Sequence, residues 1–77
     1  MNKARRKKIE EARGLLMKAS EIITECFEEE DEAHNNLPDS IRYSEKGEQI
    51  EEYLEALSNT IEDLDSLSED LQYIIEG

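Results

Sequence analysis

Two stretches of this sequence carry apolar residues at alternating steps of three and four, and one segment of turn-forming residues separates them. Such heptad spacing places apolar side chains along one face of an α-helix. The composition agrees, since 39% of the residues are charged and only three are glycine and one proline. The sequence therefore predicts an all-α fold class: an antiparallel, coiled-coil-like two-helix hairpin that forms a single domain over residues 1–77.

The first helix is predicted over residues 3–33. Its expected core-facing residues are Ile9, Ala12, Leu16, Ala19, Ile23, Cys26 and Ala33. Leu15 and Ile22 form a third apolar row beside the two rows of core-facing residues. We expect Cys26 to be a small buried residue rather than a nucleophile, because no adjacent base or cation would activate its thiol.

Residues 34–44 form the predicted linker, which concentrates turn formers and helix stoppers around Pro38. Pro38 also suits the start of a short helical turn that reaches Arg42. Ser44 is the predicted N-cap of the second helix, over residues 45–76. The core-facing residues of that helix are expected to be Ile50, Leu54, Leu57, Ile61, Leu64, Ser68, Leu71 and Ile75.

A third apolar row on each helix remains uncovered in a single hairpin. It predicts an oligomer interface formed by Leu15, Ile22, Tyr53, Leu67 and Ile74. A chain of 77 residues buries little core alone, and its single cysteine excludes an intrachain disulfide. We therefore expect a homo-oligomer, most simply a dimer that forms a four-helix bundle. The alternative is a monomer that keeps this face for a different partner.

The net charge of −12 is unevenly distributed. Residues 1–18 contain seven basic and two acidic residues, whereas residues 19–77 contain two basic and nineteen acidic residues. An antiparallel hairpin brings the basic start beside the acidic end of helix two, so we expect ion pairs there.

Acidic residues concentrate near the linker and predict a surface that binds a basic protein, in particular a host protein that normally holds nucleic acid. Its candidate residues are Glu28, Glu29, Glu30, Asp31, Glu32, Glu48, Glu51 and Glu52. The alternative is an ordinary solvated face. The sequence contains no calcium-binding loop, and we expect no metal, cofactor or catalytic residue.

The basic start offers a second candidate site, in which Arg5, Arg6, Lys8 and Arg13 bind an anion. The corresponding function is sequestration of a nucleotide signal, and a small structural oligomerisation module is a further alternative. Direct DNA binding is not expected, because the acidic remainder would repel a duplex. No apolar run approaches the ~18 residues of a membrane span, so we expect a cytoplasmic protein without a membrane partner.

The order of these features resembles a family of short helical-hairpin proteins carried by phages and integrated elements of Gram-positive bacteria. The matching parts are the basic segment 2–8, the acidic end of helix one, the linker residues 36–40 and the residues 44–48 that open helix two. The resemblance implies a non-enzymatic accessory role in the host cell, with counter-defence as one such role.

Overall fold

The computed structural model describes all 77 residues, Met1–Gly77. It confirms the all-α prediction, with helices α1 (Lys3–Asn35), α2 (Asp39–Arg42) and α3 (Glu45–Glu76). Helix α1 packs along α3, and the molecule measures 59 × 14 × 13 Å. The chain is thus an elongated helical hairpin.

The two long helices begin and end close to the predicted positions. Asn2 is the N-cap of α1, and its side-chain oxygen accepts a hydrogen bond of 2.8 Å from the backbone N–H of Arg5. At the other end α1 continues to Asn35, two residues beyond the predicted boundary. The guanidinium of Arg42 donates a hydrogen bond to the carbonyl oxygen of Asn35, which would otherwise have no partner because it lies in the last turn of α1.

Helix α2 is the short helical turn predicted after Pro38, and it joins α3 through a tight corner. Ser44 occupies the N-cap position of α3, but its hydroxyl donates to the carbonyl oxygen of Ile41 instead of capping α3. Gly47 is buried at this corner. A Cβ atom at Gly47 would lie 2.0 Å from the carbonyl oxygen of Arg42, so only glycine allows α2 to approach α3 this closely.

Two contacts fix how α1 and α3 are aligned. The hydroxyl of Ser20 donates a hydrogen bond of 3.1 Å to Asp65, and Nε2 of His34 lies 3.4 Å from Oε1 of Glu51. The residue numbers of both pairs sum to 85, as expected for antiparallel helices in constant register. The hairpin closes within one chain.

The predicted inner face of α3 agrees with the structure, but that of α1 is wrong in one of its two rows. Ala12, Cys26 and Ala33 are exposed, although the periodicity placed them against helix two. Ala19 of the same row is half-buried. The other half-buried or buried residues of α1 are Arg6, Ile9, Arg13, Leu16, Ser20, Ile23, Thr24, Phe27, Glu30, Asp31 and His34. Turning α1 this way covers Phe27 and His34, which bury more surface than alanine or cysteine.

The hairpin encloses very little interior. Only three residues of 77 are buried, namely His34, Gly47 and Leu54, and no large side chain is fully buried. Most residues between the helices are half-buried, so one hairpin shields its apolar side chains only in part.

Candidate functional site

The hairpin leaves several large apolar side chains exposed, and we call the surface that carries the five predicted interface residues the apolar face. Its large side chains are the five predicted interface residues, with exposed fractions of 67% for Leu15, 49% for Ile22, 56% for Tyr53, 50% for Leu67 and 39% for Ile74. The structure therefore leaves the whole predicted set uncovered.

A shallow groove shows that α1 and α3 both contribute to the apolar face. The groove has a volume of about 430 Å³ and runs between Cys26 and Glu30 of α1 and Tyr53, Ala56, Leu57 and Thr60 of α3. Because α1 is turned relative to the prediction, Ala12 and Cys26 also join this face. The expectation of a buried Cys26 is wrong, since its side chain is exposed.

The acidic end comprises the eight residues predicted as an acidic surface: Glu28, Glu29, Glu30, Asp31, Glu32, Glu48, Glu51 and Glu52. Six are exposed, whereas Glu30 and Asp31 are half-buried. None forms an ion pair with a lysine or arginine, and only Glu51 contacts a basic side chain, that of His34. The structure contains no group of three or more side chains arranged to hold a metal ion.

His34 is the residue of this end that sequence reasoning missed. Its side chain is buried where α1 ends, and its Nε2 approaches Glu51 without the alignment of a hydrogen bond. The only available signal was its position seven residues after Phe27, on the row of α1 that packs against α3.

The basic end comprises the four predicted anion-binding residues, Arg5, Arg6, Lys8 and Arg13. No nitrogen of this end lies within 4.0 Å of a carboxylate of α3, although the pKa of Arg13 is raised by its hydrogen bond to Glu10 and, in smaller part, by the charge of Glu76 at the end of α3. Arg13 instead contacts Glu10 on its own helix, with its Nε 3.2 Å from Oε2 and its terminal nitrogen 2.7 Å from Oε1. This hydrogen bond lowers the pKa of Glu10 and raises the pKa of Arg13.

The other three basic residues remain without an acidic partner. Arg5 and Lys8 are exposed, and Nε of the half-buried Arg6 has no hydrogen-bond acceptor. Direct ion pairs with α3 do not form, and Arg13 pairs instead with Glu10 of its own helix, while Glu76 of α3 acts on Arg13 only through its charge.

These features define a small all-α hairpin with an apolar face, an acidic end and a basic end. Comparison with models of protein families, with curated proteins and with solved structures gives no match. No helix of the structure combines the length and apolar character needed to cross a membrane.

Proposed function

We propose that this chain is a non-enzymatic binding protein that works as a pair of hairpins and binds a basic protein surface through its acidic end. The observation that carries the proposal is the lack of cationic partners in that end. The end contains eight carboxylates, and none of them lies within ion-pair distance of a lysine or arginine, although Lys46 is near Glu48 and Glu52.

This arrangement costs the free protein stability, because like charges repel and because α1 ends in acids that oppose its helix dipole. A basic partner would remove both costs on binding. Spaced carboxylates on a narrow rod also offer such a partner a charge pattern like that of a nucleic acid backbone. The proposed partner is therefore a host protein that normally binds nucleic acid, and the resemblance to phage and integrated-element proteins suggests counter-defence as the setting.

The proposed pairing rests on the thin interior and the apolar face. A hairpin with three buried residues gains little stability from its own packing, whereas pairing through the apolar face would bury side chains that the single hairpin leaves in solvent. Two hairpins joined by this face form the four-helix bundle predicted from the sequence.

Capture from a lysate of a Gram-positive bacterium tests the acidic end. The variant carries Glu28→Lys, Glu32→Lys and Glu48→Lys, three exposed positions outside the apolar face. The native chain should retain basic proteins that added DNA releases, and the variant should lose them.

The matched control carries Glu55→Lys, Glu62→Lys and Glu69→Lys, which change the net charge equally on an exposed row of α3. Capture by the control should match that of the native chain. Equal capture by all three proteins would remove the acidic end from the proposal.

A second function, sequestration of an anionic nucleotide, is favoured by the free cations of the basic end. Arg5, Arg6 and Lys8 form no ion pair, and charge-assisted hydrogen bonds from such groups bind phosphate well. Calorimetry with a panel of cyclic and linear nucleotides should detect binding that Arg5→Ala abolishes. A panel without any heat of binding would reject this function.

A further inference from the structure

The apolar face bears one row of α1 whose order of side chains specifies how a second copy lies on it. This row is Lys8, Leu15, Ile22 and Glu29, spaced seven residues apart. All four side chains are exposed, so no contact within the hairpin explains their order.

We infer that the face binds a second copy of this chain in antiparallel orientation, α1 against α1, with Lys8 of each copy beside the partner's Glu29. This inference rests on the pairing proposed above and adds its orientation. In a pair of identical antiparallel helices related by a two-fold axis, the numbers of two residues that face each other always have the same sum. Here the residue numbers of Lys8 and Glu29 have the same sum, 37, as those of Leu15 and Ile22.

A single two-fold axis that passes between residues 18 and 19 of α1 therefore pairs all four residues of the row. It places each Leu15 against the partner's Ile22 and each Lys8 against the partner's Glu29. Charged residues that flank an apolar row select orientation in this way in coiled coils.

The neighbouring row of α1 is centred half a residue from this axis, and on α3 Leu67 is the side chain of the apolar face that lies near it. The exposed Ala12 and Cys26 have numbers that sum to 38, with Ala19 midway, so small side chains meet small ones across the axis. In the register of the hairpin, Leu67 of α3 lies at the level of residue 18 of α1, which brings Leu67 close to the partner's Leu67.

The parallel alternative is disfavoured by charge. It would set the two acidic ends side by side, eight unneutralised carboxylates against eight more. In the antiparallel pair the two acidic ends lie at opposite ends of the bundle, and Lys8 of one copy lies beside the acidic end of the other. Glu28, Glu32 and Glu48 lie off the apolar face and stay available for the proposed basic partner.

Zero-length carbodiimide crosslinking of the native protein tests the orientation. Lys8 and Glu29 of one copy are roughly 32 Å apart along α1, at about 1.5 Å per residue, so a Lys8–Glu29 amide forms only between two antiparallel copies. Mass spectrometry of the covalent dimer should find this crosslink.

Charge exchange provides a second measurement by sedimentation. Lys8→Glu and Glu29→Lys should each weaken the dimer about tenfold, since the two-fold axis doubles every altered pair. The double variant should restore the native dissociation constant. Lys7→Glu and Glu25→Lys are the matched controls, because both exposed residues lie off the row, and neither should weaken the dimer.

The outcomes separate the orientation from the pairing itself. A dimer that lacks the Lys8–Glu29 crosslink and ignores the charge exchange would overturn the antiparallel arrangement while leaving the pairing intact. A protein that is monomeric throughout would overturn the pairing as well.

Discussion

Single residues set the geometry of the α2–α3 corner. Gly47 lies in the first turn of α3, where glycine is normally unfavourable, yet the carbonyl oxygen of Arg42 fills the space a side chain would need. Gly14 differs, since a Cβ atom there would meet nothing within 4 Å. The two glycines therefore allow a comparison in which only the tertiary contact differs.

We expect Gly47→Ala to lower the free energy of unfolding by about 1–3 kcal/mol, because backbone atoms must move apart to admit the methyl group. Gly14→Ala should raise it by about 0.5–1 kcal/mol, the gain in helix propensity at an exposed position. Urea unfolding monitored by circular dichroism measures both changes. Two variants of equal stability would show that the corner is looser than the structure indicates.

At the scale of the elements, α3 was predictable from its sequence and α1 only in part. On α3 the predicted inner rows are aliphatic at every position except Ser68, so they outweigh the neighbouring row of Tyr53, Thr60, Leu67 and Ile74, and the inner face agrees with the structure. On α1 the row Ala12, Cys26 and Ala33 and the row Phe27 and His34 both fit the heptad spacing beside Ile23. Periodicity counts apolar positions alike, whereas packing favours the larger side chains, so it could not choose between these rows.

The same limit explains the basic end. Opposite charge brought together by topology predicted ion pairs between α1 and α3, but neighbours on one helix pair more easily, as Arg13 does with Glu10. The burial of His34 was not predicted either, because a histidine seven residues after Phe27 fits the heptad spacing but is not counted as an apolar residue. The exposure of the five predicted interface residues, by contrast, followed directly from the width of the apolar stripe.

Two adjacent isoleucines test the direction that α1 faces. Ile23 is half-buried against α3, whereas Ile22 is 49% exposed on the apolar face. Ile23→Ala should lower the unfolding free energy of dilute protein by about 1–2 kcal/mol, since it removes buried methyl groups. Ile22→Ala should leave that value nearly unchanged and weaken self-association instead.

Thermal unfolding at low protein concentration and sedimentation at high concentration measure the two effects of these variants separately. If Ile22→Ala destabilised the dilute protein more than Ile23→Ala, the orientation of α1 described above would be wrong.

At the scale of the whole molecule, the hairpin has more apolar surface than it can cover. Its single buried apolar side chain is that of Leu54, while ten large hydrophobic side chains are exposed, the five of the apolar face among them. Folding and pairing of such a chain are expected to be coupled, so its stability should rise with protein concentration. The acidic and basic ends then become features of the pair, with an acidic end at each extremity.

Sedimentation equilibrium of the native 8.9 kDa chain over a wide range of concentrations tests the pairing most directly. We expect the mass to rise to that of two chains, and Leu67→Asp, which places a charge in the middle of the apolar face, to return it to that of one. A native protein that stays folded at the mass of a single chain at the highest concentrations would contradict the proposal that the apolar face joins two copies.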